Sequence, residues 1–305
     1  MLSQRSKKAV IAALFGNLGI AIFKIAAALL SGSSSMLAEG YHSISDTFNQ
    51  VLLLYGLKRS KKPPDREHPF GYGKEQFFWS FMVAVVLFGI AGTLSILEGY
   101  HKFSHPESLS HVGLNYIAIG VAVFFESISL RIAVRNIKEE MRREEHSSFW
   151  KTLRRSKDPT TLTVFVEDAL ALSGLFVAGI AIGVAYFTHL FIIDAYASVV
   201  IGSLLMVFSL FLAFETKKLL VGEAVTRSKR RKILKVVRSF NGVDKILSLK
   251  TMHLSSDEVL VNLELDYKDG MVVSYLENLN EAIEQKIKEI IPQAKVYLAA
   301  RKRKT

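Results

Sequence analysis

Long apolar runs alternate with short polar ones over most of the chain, at about 9–30, 36–57, 77–99, 113–134, 162–187 and 191–214. Each run approaches the roughly 20 residues a helix needs to cross the hydrocarbon layer of a bilayer, so the pattern predicts six spanning helices. From about Gly222 the period changes. Val259, Val261, Leu263, Leu265 and Tyr267 alternate with Asn262, Glu264 and Asp266, the two-residue period of a half-buried strand. Leu276, Leu279, Ile283, Ile287 and Ile290 recur at helical spacing ahead of Pro292, and Ile233, Val236, Val237 and Phe240 mark an earlier amphipathic helix before Gly242. With strands expected over 244–253 and 295–299, the tail reads helix, strand, strand, helix, short strand. The fold class expected is therefore a membrane all-α six-helix domain (1–221) followed by a small α+β, ferredoxin-like domain (222–305) with its helices on one face of the sheet.

Charge orients these elements. The connections 31–35, 100–112 and 188–190 hold a single Lys or Arg, Lys102, whereas 58–74 and 135–157 are strongly basic. Positive charge marks the cytoplasmic side, so both basic loops, both termini and the α+β tail are expected there. The formal charge of +11 follows from that alternation and does not indicate nucleic acid. Met1–Lys8 is basic and leads into the first run, as a signal peptide would, but 9–30 exceeds a typical signal core and reads as a retained span. The chain has no cysteine, which leaves His, Asp and Glu to carry any metal chemistry.

The second run contains such a pair. His42 and Asp46 stand four residues apart and share a helix face. A carboxylate in the hydrocarbon region costs at least about 2.5–3.5 kcal/mol on insertion scales, so it signals function, and imidazole with carboxylate suits a divalent ion such as zinc. The other ionisable groups deep in spans are Lys24, Glu126 and the adjacent Glu167 and Asp168, while Glu98 and Asp194 lie near span ends, where water is expected to reach them. Neighbouring helix residues diverge by about 100°, so Glu167 and Asp168 do not face one point squarely. Ligands from two helices still suffice for a roughly tetrahedral site. No His-Glu-x-x-His sequence occurs, which argues against an intramembrane metalloenzyme.

Six spans, His42-x-x-x-Asp46, "GSSSMLAEGYHSISDTFN" over 32–49, "HPFGYGK" over 68–74 and an acidic fifth span together resemble the cation diffusion facilitator family, in particular a divergent branch with a mitochondrial-type zinc transporter homologue. The resemblance covers nearly the whole chain. It implies efflux of a divalent cation, zinc first, in exchange for protons, by a homodimer expected in the inner (cell) membrane of a prokaryote. The alternatives are manganese, iron, cobalt or cadmium as cargo, or a metal sensor that does not transport. The metal ligands implied are His42, Asp46 and Asp168, with Glu167 as the substitute for a missing fourth. If Asp168 is the second acid of the family's fifth-span motif, the first place falls on Val164; if it is the first, the second falls on Leu172. Neither side chain binds metal. A loop site is implied at Asp65 and His68, with Tyr72 in the third place. His253 is a further candidate on a strand, and Lys74 with Glu223 would form a charge interlock between subunits. No permanently bound cofactor is expected.

Overall fold

The structure, a computed structural model, describes residues 4–105, 108–143, 148–149, 152 and 159–302. Its helices are α1 (Gln4–Ser31), α2 (Ser34–Ser60), α3 (Glu75–Ser104), α4 (Val112–Arg143), α5 (Pro159–Thr188), α6 (Ile192–Val221), α7 (Arg227–Arg238) and α8 (Val273–Ile290); its strands are β1 (Val243–His253), β2 (Val259–Tyr267) and β3 (Ala294–Ala300). The chain forms two compact units: residues 1–57 with 78–216, and residues 58–77 with 217–305. The connection between α2 and α3 thus belongs with the tail in space, though it interrupts the apolar runs in sequence.

Among the described residues, five helices are long and apolar enough to cross a membrane: α1, α3, α4, α5 and α6. The sixth predicted span, α2, is 27 residues long. At 1.5 Å per residue it extends about 40 Å, enough to cross. Its polar load, Glu39, His42, Asp46, Asn49, Lys58 and Arg59, takes it out of the strongly apolar class. Part of that load is paired within the bundle: Glu39 meets Lys24 of α1 and Asn49 meets Glu167 of α5. The fourth helix runs on to Arg143, past the predicted end near 134. The remainder of the basic 135–157 connection lies mostly outside the described residues.

The first unit buries Met36, Val83, Leu87, Val166, Leu170, Ile182, Ile201, Leu205 and Leu212 in one apolar core. Phe15, Ile22, Leu29, Phe124, Phe176 and Phe187 project outward, as side chains facing lipid do. Gly32, at φ +72°, makes the tight reversal between α1 and α2 in the left-handed region that glycine tolerates, and its N–H is donated to the Ala28 carbonyl at 2.8 Å.

Close main-chain approach joins α3 to α6. A Cβ on Gly202 would stand 2.7 Å from the Gly92 carbonyl oxygen, and one on Gly99 would stand 2.8 Å from that of Ala195. The hydroxyls of Ser198 and Ser209 donate to the carbonyls of Ser95 and Ala84. Small residues with hydroxyl donors are the usual means of helix association in lipid, where tails are as apolar as leucine. Within α3, Leu87–Gly92 is π-helical, a break the hydropathy pattern does not reveal.

In the second unit, β2 is central, antiparallel to β1 (Ile246 opposite Leu265, His253 opposite Val259) and parallel to β3 (Val259 opposite Ala294). The parallel pair requires a crossover, which α8 supplies. The alternating residues Val259, Val261, Leu263 and Leu265 are buried against Ile233 and Val237 of α7 and Leu279, Ile283 and Ile287 of α8. This is the α+β domain predicted, in the order αββαβ.

Candidate metal centre

His42 and Asp46 lie midway along α2, one turn apart, with His42 Nδ1 3.4 Å from an Asp46 carboxylate oxygen. The imidazole is 1% exposed and the Asp46 side chain 14%. Among the described residues, both ring nitrogens of His42 and Oδ1 of Asp46 are buried without a hydrogen-bond partner. Such groups ordinarily cost about 1–3 kcal/mol each, and native interiors rarely keep them without a reason such as an ion that binds there.

The carboxylates of Glu167, Glu126 and Asp168 are within coulombic reach of Asp46. Each of the fifth-span acids is held by a neighbour. Asn49 of α2 donates to Glu167 at 2.9 Å, and Ser129 of α4 donates to Asp168 at 2.7 Å. Adjacent residues on one helix are thereby used twice: Glu167 is turned toward α2 and Asp168 toward α4, as the 100° step requires. Val164 packs against the apolar core. Among the described residues, no group of three or more His, Asp or Glu converges at metal-binding distance. The structure therefore brings His42 and Asp46 together and sets Glu167, Asp168 and Glu126 around them at longer range.

One turn before His42, Glu39 forms an ion pair with Lys24 at 3.1 Å, both side chains fully buried, and Lys24 also donates to Ser43 at 2.8 Å. Gly174 of α5 leaves the room: a Cβ there would stand 2.0 Å from a Glu39 carboxylate oxygen.

Asp194 departs from expectation. It is not reached by water but fully buried. It accepts hydrogen bonds from the Ser33 hydroxyl (2.9 Å), the Ser34 N–H (2.6 Å), the Ser34 hydroxyl (2.9 Å) and the Ser35 hydroxyl. A carboxylate from α6 thus caps the N-terminus of α2, where unsatisfied N–H groups and the helix dipole favour negative charge. The serine run Ser33-Ser34-Ser35 was the available signal, but its partner lies 160 residues away in sequence.

The loop candidates have a different environment. Asp65 accepts from the Tyr72 hydroxyl at 2.6 Å, the His68 N–H at 2.8 Å and the Lys62 ammonium at 3.4 Å. The Tyr72 hydrogen bond, then the His68 N–H, hold its carboxyl well below the usual carboxylate range. The His68 ring stands 4.2 Å from that of Tyr72. His253 is buried at the end of β1, its N–H donated to the Glu223 carbonyl at 3.0 Å. Lys74 reaches the Leu220 carbonyl at 3.2 Å and the Met252 sulfur at 3.7 Å.

Comparison with known proteins agrees with this layout. Residues 10–221 match the Cation efflux transmembrane domain, and residues 225–298 match the Cation efflux protein, cytoplasmic domain. Metal tolerance protein C4 of Arabidopsis thaliana is 31% identical over 270 residues, covering 88% of this chain and 59% of the relative. The human proton-coupled zinc antiporter SLC30A9, mitochondrial, is 30% identical over 270 residues, 88% of this chain and 47% of the relative. Magnetosome protein MamM of Paramagnetospirillum magneticum is 31% identical over 138 residues, 43% of each chain. The chain spans about half the length of the first two relatives. With a buried histidine–aspartate pair in a helical membrane domain, and with that family's domain matched over residues 10–221, this membrane protein belongs to the cation efflux family.

Proposed function

We propose that this chain carries a divalent cation, zinc first, out of the cytoplasm in exchange for protons. The observation that carries the reading is the pair His42 and Asp46, buried in α2 with both imidazole nitrogens and one carboxylate oxygen lacking a hydrogen-bond partner among the described residues. His42, Asp46 and Asp168 would bind the ion, with Glu167 or water completing the shell. The relative named as a proton-coupled zinc antiporter supports a zinc cargo, and the one named as a metal tolerance protein supports a metal cargo. Manganese, iron, cobalt and cadmium remain alternatives, because carboxylates with one imidazole accept several ions.

Proton coupling follows from the ligands. Neutral imidazole and ionised carboxylate bind metal; their protonated forms do not, so loading releases protons and acid on the far side unloads the site. The basic connections support an orientation with both termini and residues 222–305 in the cytoplasm, and the membrane in this reading is the inner (cell) membrane of a prokaryote. The tail, a small sheet with helices on one face, fits a homodimer in which paired tails bury more surface. Lys74 and Glu223 would contribute an interlock between subunits. Asp65, His68 and His253 are secondary candidates for metal, and the Asp65 carboxylate is already occupied by loop donors.

The experiment is counterflow in sealed proteoliposomes carrying a zinc indicator and a pH indicator. Zinc movement with opposing proton movement, lost in Asp46→Ala, is expected. Zinc movement without proton movement would refute the exchange. Binding of zinc with no flux at all would make the protein a sensor instead of a carrier.

A further inference from the structure

We propose that Glu98, His101 and His105 form a second divalent-cation site, at the end of α3 opposite the basic connections. Glu98 and His101 stand three residues apart on one face of α3, and His105 follows four residues later at its C-cap, just past the last helical residue. They line an open groove with Tyr41, Leu94 and Leu97. Histidines at i and i+4 on one helix face are a recurrent zinc clip. His105 caps the helix, its N–H still donated to the His101 carbonyl at 3.1 Å, so the helical register of the pair is kept.

The ring centroids of His101 and His105 are 5.1 Å apart. Two imidazoles bound through nitrogens about 2.0–2.1 Å from a tetrahedral zinc have centroids roughly 5 Å apart, so the observed spacing already suits a shared ion. Glu98, His101 and His105 do not converge at metal-binding distance in their present rotamers; the rings lie stacked at 24° and must turn to aim their nitrogens together. Exposed side chains turn readily. Glu98, half-buried one turn earlier, adds an anionic ligand that makes the set selective for a cation. Tyr41, on the wall of the groove, directly precedes His42, which puts this groove beside the helix that carries the buried pair.

The test separates this site from the buried one. Zinc is titrated by calorimetry into the full chain, purified in detergent, on an Asp46→Ala background. A zinc-binding event is expected to persist there and to be lost when His101→Gln and His105→Gln are added. Glu98→Gln should weaken it. In the chain with Asp46 intact, the same double variant should keep zinc at the buried pair, which rules out misfolding as the cause. If zinc stoichiometry on the Asp46→Ala background is unchanged by the two histidine substitutions, or if no zinc binds there at all, the site does not exist. Loss of the buried-pair signal alone would count against the transport reading and leave this site standing.

Discussion

Two histidine–aspartate pairs, one inside α2 and one in the connection after it, have opposite circumstances. His42 and Asp46 are buried with polar atoms left over. Asp65 and His68 are exposed, and the Asp65 carboxylate is filled by Tyr72, His68 and Lys62. Residue type is the same; what differs is whether the fold has already satisfied the donors and acceptors. A ligand site needs groups that the fold holds in place but does not use up.

The sharpest way to break this contrast is to delete one member of each pair. Asp46→Ala should abolish high-affinity zinc binding and flux in proteoliposomes, while His68→Ala should leave flux close to that of the unmodified protein. Equal losses in the two variants would end the distinction.

A second break concerns the support of α2. Lys24→Ala leaves Glu39 buried without its counter-charge, which typically costs about 3–5 kcal/mol. A steep fall in thermal stability in detergent is expected, recovered in part when Glu39→Gln is added. Asp194→Ala should cost less, about 1–3 kcal/mol, since the serines keep some mutual bonding. Ser33 and Ser35, 3.3 Å apart, are such a pair. Asp194→Asn should restore most of the stability if capping is the role.

Smaller still is the effect expected at the fourth ligand. Glu167→Gln should weaken zinc binding modestly if Glu167 completes the shell, and Val164→Asp should tighten it while slowing release. If Glu167→Gln leaves affinity unchanged and Asp168→Asn removes it, water is the better fourth ligand.

The smallest effect would sharpen the comparison rather than break it. Tyr72→His removes the principal donor to Asp65 and adds an imidazole, so bound zinc should rise by one per chain in equilibrium dialysis. The Asp65 carboxylate of the unmodified loop should stay ionised across the neutral range. A depressed carboxyl contributes stability above its ordinary pKa and loses it only as pH falls through the lowered value, which for Asp65 lies below the usual carboxylate range. Loop unfolding monitored by Tyr72 fluorescence near pH 5 would contradict this.

Much of this was legible in the sequence, and for specific reasons. The i, i+4 spacing placed His42 beside Asp46, and the two-residue period over 259–267 placed β2 with its buried face correct. Asn49 was expected to hydrogen-bond between helices and does, to Glu167. What escaped was non-local. Asp194 meets its serines only after the intervening spans have folded, and its position near a span end suggested solvent. The loop at 58–77 groups with the tail through tertiary packing that no hydropathy window contains. Tyr72 stood in the sequence as a gap in a ligand set; only its hydroxyl position makes it the residue that occupies Asp65. The histidines at 101 and 105 carry no mark of purpose in the sequence, because exposure and purpose cannot be told apart by composition.

The glycine contacts between α3 and α6 have a mechanical corollary. Where Gly92, Gly99 and Gly202 bring α3 against α6, the carbonyls of Gly92 and Ala195 leave no room for a Cβ, and the side chains of Met206, Val199 and Ile96 close around the crossing. Such a joint does not creep: it holds or it separates. The two helices are therefore expected to travel together in a transport cycle, so that distance labels attached one to each keep a constant reading while labels spanning other helix pairs change. That constancy makes the strut a natural reference frame against which the displacement of the helix bearing His42 and Asp46 can be measured.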